Sequence, residues 1–364
     1  MCVLSAAALC INGCSKKAVT NTAGELDKEF IIGEVFSDTG MYASYGISLH
    51  SGASMAVKEI NANGGVEIDG DNYKLRLISA DDESDADRAK NAYHTLIDKG
   101  AQAVIGTYSE EGCKAVDKLA DEDNILMVIP SSTSYDSDKS DSSFKISMSD
   151  VKQGNETAEY AFYQLNCKNA AVIYQEKDAG LAQAFSEKFS SIGGNVCVNE
   201  IYNGELSGID YVLDNIYTAQ PDILFIPAEM PLASELLRLV DNRGIRASVI
   251  GDFRWHGVTA AQYENILSVQ YISSVGDKYL QFSEDYLKEY GNLADLSAAQ
   301  GYDSVYTVKE ALEEAGNVDS DLEICAMTSI QFDGATGNGI SFDEDGYSNR
   351  DMEFIKLYQK EGSR

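Results

Sequence analysis

From residue 30 onward, short apolar and β-branched runs alternate with stretches in which apolar residues recur at helical spacing. Phe30-Ile31-Ile32-Gly33-Glu34-Val35-Phe36 predicts a strand. Leu49, Ala53, Ala56, Val57 and Ile60 then predict one face of a helix, which Asn63-Gly64-Gly65 stops. The strand signal returns at 73–80, 103–108 and 125–129, with helices predicted at 86–99 and 112–123 between them. An acidic loop at 136–141 breaks the rhythm, and 144–147 reads as a short strand or crossing segment. A second series follows, with strands at 170–174, 195–201, 222–227 and 248–252 and helices at 153–165, 181–192, 209–218 and 231–242. Beyond a further strand at 269–275 come helices at 278–290 and 297–316, then terminal strands at 339–342 and 352–359. Strands separated by helices of this length pair in parallel, so the pattern predicts an α/β chain with two similar halves, each a doubly wound parallel sheet covered on both faces.

The 364 residues suffice for two cores, and 44% hydrophobic residues is an ordinary share for a globular chain. The formal charge of −31 argues against nucleic acid as a partner and against docking on an anionic membrane by charge. Residues 1–13 carry no charge and are too few to cross a bilayer, so they are expected to be the core of a signal peptide. Ile11-Asn12-Gly13-Cys14 resembles the lipobox of bacterial lipoproteins, which makes Cys14 the expected lipid-bearing first residue of an extracytoplasmic protein, with 14–28 as its tether. Nothing basic precedes Cys14, so the native start is expected upstream. Of seven cysteines, Cys113, Cys167, Cys197 and Cys325 lie beyond the tether without CxxC spacing, and neither a metal site nor a disulfide framework is expected. A Cys167–Cys197 disulfide stays open, with buried free thiols as the expectation.

The order of several short motifs carries a resemblance. Gly33-Glu34-Val35-Phe36-Ser37-Asp38-Thr39-Gly40, Ala56-Val57-Lys58-Glu59-Ile60-Asn61-Ala62-Asn63-Gly64-Gly65 and Asp81-Asp82-Glu83-Ser84-Asp85 come first. Val104-Ile105-Gly106, Ile129-Pro130-Ser131-Ser132-Thr133, Gly301-Tyr302-Asp303-Ser304-Val305 and Phe332-Asp333-Gly334-Ala335-Thr336-Gly337 follow. Together they resemble the branched-chain amino-acid-binding proteins of ABC importers. The resemblance implies a type I periplasmic-binding-protein fold: two Rossmann-like lobes with parallel sheets, joined by three crossing segments and closing on a ligand. Crossings are expected near 147–150, 272–275 and 338–341. Lobe 1 would comprise 29–148 plus 275–339, and lobe 2 149–274 plus 340–364.

In open α/β sheets a ligand sits outside the carboxyl ends of the strands. The resemblance gives Ser131 and Thr133 the task of holding a ligand carboxylate, although a serine-rich turn can equally cap the next helix. It implies a serine where Glu110 stands. Ser109 would substitute, Glu110 would turn outward, or the ligand is not a simple amino acid, because two facing carboxylates repel. Tyr45 matches an aromatic that stacks on the ligand, or is a half-buried surface ring. Ala179 replaces an aromatic in Tyr174-Gln175-Glu176-Lys177-Asp178-Ala179-Gly180-Leu181, so the pocket is roomier or Tyr174 fills it. Gly251-Asp252-Phe253-Arg254-Trp255 resembles the family segment whose acid pairs with a ligand ammonium, so the resemblance gives Asp252 that role, with Glu229 in reserve; either could instead cap a helix.

His50, His94 and His256 are scattered, and no HExxH, GxSxG or phosphate-loop motif occurs. Asp343-Glu344-Asp345-Gly346 reads as a turn between the terminal strands rather than a calcium loop. The expectation is therefore a binder and not an enzyme, with no cofactor and no metal. It would be a monomer that takes an amino acid, partners an ABC permease and ATPase complex, and is anchored to the membrane by lipid. The alternatives are a sensor that signals to a membrane receptor, or a binder of a non-amino-acid such as an amide.

Overall fold

The computed structural model describes residues 28–131, 140–229, 232–255, 266–270, 277–350 and 352–356. The first lobe runs β1 (Lys28–Phe36), α1 (Ala43–Ala62), β2 (Val66–Ile68), β3 (Asp71–Asp81), α2 (Ala86–Asp98), β4 (Ala103–Ile105), α3 (Glu110–Asp123), β5 (Leu126–Ile129) and β6 (Ser143–Lys145). The second runs α4 (Asp150–Glu159), β7 (Asn169–Tyr174), α5 (Ala179–Ser191), β8 (Asn195–Ile201), α6 (Ile209–Ala219), β9 (Ile223–Ile226), α7 (Leu232–Asn242), β10 (Ser248–Gly251) and β11 (Ile266–Gln270). The chain then returns to the first lobe with α8 (Asp277–Tyr290), α9 (Leu296–Ala315), α10 (Ser320–Ala326), β12 (Phe332–Gly334), β13 (Gly337–Phe342) and β14 (Ser348–Asn349), and ends in the second with β15 (Glu353–Lys356).

Among the described residues the lobes hold one six-stranded sheet each, in the orders β2-β3-β1-β4-β5-β6 and β15-β11-β10-β9-β7-β8, with a small third sheet β12-β13-β14. Pairing in the two large sheets is parallel except at one edge of each, where β2 and β15 run antiparallel to their neighbours. Both sheets are covered on both faces, as parallel sheets require. In the first lobe, α1, α8 and α9 pack on Phe30, Ile32, Leu75 and Val128, while α2 and α3 cover Val35, Val104 and Met127. In the second, α6 and α7 cover one face, and α4 and α5 the other.

One crossing departs from its expected position. The third was expected at 338–341, but Ile340 and Phe342 of β13 lie in the first lobe's core, and the chain leaves that lobe only after β14. A strand that buries its alternate residues cannot also serve as a free connector. The expected crossing at 272–275 lies outside the described residues, whereas the first passes through 146–149, between β6 and α4. Arg350 joins the first and third crossings: its guanidinium donates to the Ile146 carbonyl, to Ser348 Oγ at 3.3 Å and to the Thr336 carbonyl at 3.3 Å.

The other predicted strands and the long helices correspond to observed ones, but of the strand expected at 269–275 only its first two residues fall in β11, with 271–275 outside the described residues, and β2, β12, β14 and α10 were not anticipated. The signal for β2 was present in Ile68-Asp69-Gly70-Asp71: Asp69 and Gly70 both take positive φ, 49° and 81°, the requirement of a type I′ hairpin turn. Asp343 to Gly346 does form the expected turn, with the Asp343 carboxylate accepting from the backbone of Asp345 and Tyr347 at 3.1 and 2.8 Å.

Candidate functional site

Strand order reverses between β1 and β4 in the first lobe and between β7 and β9 in the second. At such points the loops after neighbouring strands diverge and leave a crevice at their carboxyl ends. The two crevices face one another, and the cleft between the lobes has a volume of about 440 Å³, within the roughly 300–1,000 Å³ of small-ligand sites.

The first lobe contributes an aromatic wall. Tyr45 and Tyr108 stack with centroids 4.5 Å apart, and Tyr42 leans on Tyr108 at 5.2 Å. Tyr42 and Tyr45 follow the loop after β1, where the Asp81 carboxylate accepts from the N–H groups of Asp38, Thr39 and Glu83 at 2.9, 3.3 and 2.8 Å, while Tyr108 follows β4. Burial opposes ionisation of Asp81, but those hydrogen bonds win and hold its pKa below the ordinary value. Gly46 lets α1 start close to this loop, because a Cβ there would lie 2.1 Å from the Ser37 carbonyl oxygen. Burial pushes the Tyr108 hydroxyl pKa up, as do Tyr45 and Glu229 nearby, so the ring remains a neutral phenol.

Next to this wall, Ser109 caps α3 by accepting from the Gly112 N–H at 3.0 Å. Ser109, Glu110, Glu111 and Ser131 line the cleft. Glu110 therefore does not turn away from it; its carboxylate accepts from Lys114 Nζ at 2.6 Å. The start of α9 also reaches the cleft through Asp295, Leu296, Ser297 and Gln300. Asp295 caps that helix, accepting from Ala298 N–H and Ser48 Oγ, both at 2.8 Å.

The second lobe presents a knot of charge centred on Arg254. Its Nε lies 3.0 Å from both oxygens of Asp252, its Nη2 2.8 Å from Asp178 Oδ1, and its Nη1 3.5 Å from Glu229. Lys177 pairs with Glu229 at 2.8 Å. Burial alone would raise the pKa of Glu229, but Lys177 and Arg254 together bring it below the ordinary value. At Asp178 burial wins over Arg254 and the pKa is raised. Asp178, Glu229 and Arg254 line the cleft, whereas Asp252 is fully buried behind the guanidinium. Gly251 is required here, because a Cβ would fall 1.9 Å from the Trp255 ring.

Of the residues singled out in the sequence, Tyr45, Ser109, Ser131 and Glu229 meet in the cleft. Thr133 and Cys14 lie outside the described residues. Asp252 is corrected: both its oxygens are taken by Arg254, so it is not a surface for a ligand ammonium. Tyr174 is corrected too, since its ring packs against the core of the second lobe and is not part of the cleft lining. Sequence reasoning missed Tyr108, Asp178 and Arg254 as cleft residues, although all three lie in or beside segments it had marked. Asp295 gave no local signal, because α9 reaches the cleft only by packing on α1. Cys113, Cys167, Cys197 and Cys325 are free thiols; of the two for which a disulfide stayed open, Cys167 is buried and Cys197 only half-buried, and burial pushes Cys167 up to about 11.

Among the described residues no helix is long and apolar enough to cross a membrane. A family model described as periplasmic binding protein matches residues 30–362. An amino acid binding protein of Pseudomonas aeruginosa is 28% identical over 234 residues, which are 62% of this chain and 60% of that protein. An ABC transporter substrate-binding protein of Desulfitobacterium hafniense superposes with a TM-score of 0.78 at 26% identity, over 92% of this chain and 99% of that one. The branched-chain amino acid transporter substrate-binding protein of Streptococcus pneumoniae, solved with isoleucine, does so at 0.74 and 25%, over 90% and 96%.

Proposed function

This chain belongs to the periplasmic binding protein family, and from that premise we propose that it is the substrate-binding component of an ABC importer, holding an amino acid or related small polar ligand between its lobes. The observation that carries this reading is the 440 Å³ cleft itself, walled by loops and helix starts at the carboxyl ends of both sheets. In this reading Tyr42, Tyr45 and Tyr108 cover the ligand's apolar part, Ser109 and Ser131 offer hydroxyls, and Asp178 and Glu229 face its ammonium. Thr133 would add a further hydroxyl from the segment after Ser131. The lobes close by turning about the crossings that Arg350 ties together.

The relatives solved with or named for amino acids support the ligand class. The delivery partner would be a membrane permease with its ATPase, and a lipid on Cys14 would keep the monomeric protein beside it. Tethering raises local concentration and so speeds hand-over without a tighter interface.

A thermal-shift and calorimetric screen of amino acids, amides and small carboxylic acids tests the proposal. One-to-one binding is expected, with stabilisation following mass action, about 2.7 kcal/mol at a hundredfold excess over the dissociation constant. Tyr45→Ala should weaken that binding. If every amino acid leaves the melting temperature unchanged while a non-amino-acid raises it, the amino-acid reading is wrong.

A further inference from the structure

The electrostatics of the cleft narrow the ligand further. Among the described residues six carboxylates line it, those of Glu110, Glu111, Asp150, Asp178, Glu229 and Asp295, against two cations, Lys177 and Arg254, with Glu110 also accepting from Lys114 beside the cleft. Both cations already face carboxylates of their own lobe: Lys177 pairs with Glu229, and Arg254 with Asp178 and Asp252. The helix starts that would ordinarily attract an anion carry acids instead, with Glu110 and Glu111 in the first turn of α3 and Asp295 capping α9. A second observation is independent of this count. The Asp178 side chain is only 5% exposed, and its Oδ2 has no hydrogen-bond partner among the described residues. A third is the stacked tyrosine wall opposite, whose ring faces attract cations.

An anionic ligand entering this space meets repulsion on several sides, whereas a cationic group added to a ligand gains attraction that a neutral zwitterion lacks. We propose that the cleft selects a ligand of net positive charge, one that lays an alkylammonium or guanidinium group against the tyrosine wall within the ring of carboxylates. This rests on the cleft being the binding site. The cationic group belongs either to a basic amino acid, which keeps its α-carboxylate, or to an amine without one. The acidic surface of the whole chain, formally −31, would also concentrate such a ligand at the cleft mouth.

Calorimetric titration of the intact protein with arginine, lysine, agmatine and putrescine, beside leucine and benzoate, decides the matter. At least one cation should bind about tenfold or more tightly than leucine, with an affinity that falls as salt is added. Arginine or lysine binding while agmatine and putrescine stay silent identifies an amino-acid source; the reverse identifies an amine. The double variant Glu110→Gln, Glu111→Gln should weaken the best cation while the ligand-free protein melts as the parent does; an unchanged affinity in a normally folded variant counts against the proposal. If leucine binds as tightly as every cation, the charge selection is overturned and the amino-acid site stands. If benzoate alone binds, or no probe does, both fall.

Discussion

Arg254 shows how a single side chain can reassign the roles around it. Three carboxylates converge on one guanidinium, so removing the cation leaves Asp178 and Asp252 buried without compensation. Arg254→Met should therefore destabilise the fold by about 3–5 kcal/mol, read as a lower urea midpoint at neutral pH. The family resemblance marked Asp252 through the segment Gly251-Asp252-Phe253-Arg254-Trp255. It could not show that a residue two positions later turns back onto the same carboxylate. Glu323 makes a different prediction. It is fully buried, neither oxygen has a hydrogen-bond partner among the described residues, and burial, with Asp319 adding to it, raises its pKa from 4.5 to about 8. A raised folded pKa means that the unfolded chain releases this proton first, so stability is fully present below pH 4.5 and is lost as pH rises to about 8. Glu323→Met should gain about 1–3 kcal/mol at pH 8 and flatten that decline. Denaturant midpoints of both proteins at pH 5 and pH 8 check it, and equal slopes would contradict it.

At the scale of elements, the closest packing in the first lobe is the crossing of α1 and α9. A Cβ at Gly52 would sit 1.8 Å from the Ala298 carbonyl oxygen, and one at Gly301 would sit 2.0 Å from that of Leu49. The two glycines let backbones touch, and this contact brings Asp295 and Gln300 to the cleft. Gly52→Ala should cost about 1–3 kcal/mol by overpacking, visible as a lower melting temperature, and should also weaken ligand binding because the start of α9 moves. Most elements were legible in the sequence, since buried parallel strands and amphipathic helices have distinct periods. The short pieces β2, β12, β14 and α10 were not, having too few residues to show a period. The helix expected at 153–165 is split, ending as α-helix at Glu159 and widening into a π-helical turn over Tyr160–Gln164, a change of pitch that periodicity of this length cannot resolve.

For the whole molecule, the two lobes are independent cores held by few chain passages, which is the arrangement a closing trap needs. Arg350 links the first and third passages, and the third could not be located from sequence because β13 reads equally well as core strand or connector. Arg350→Met should lower stability by about 2–3 kcal/mol through lost hydrogen bonds to buried carbonyls, and thermal unfolding would show it. The cleft was legible as a region, from strand ends and family resemblance, but its charge was not, because its carboxylates come from five separate segments that only the fold assembles. A crystal structure of the complex with the tightest ligand from the titrations tests the cleft most directly. It should show the ligand between Tyr45 and Tyr108 on one lobe and Asp178 and Glu229 on the other, with the lobes drawn together. Ligand bound elsewhere on the protein, with the cleft open and empty, would contradict it.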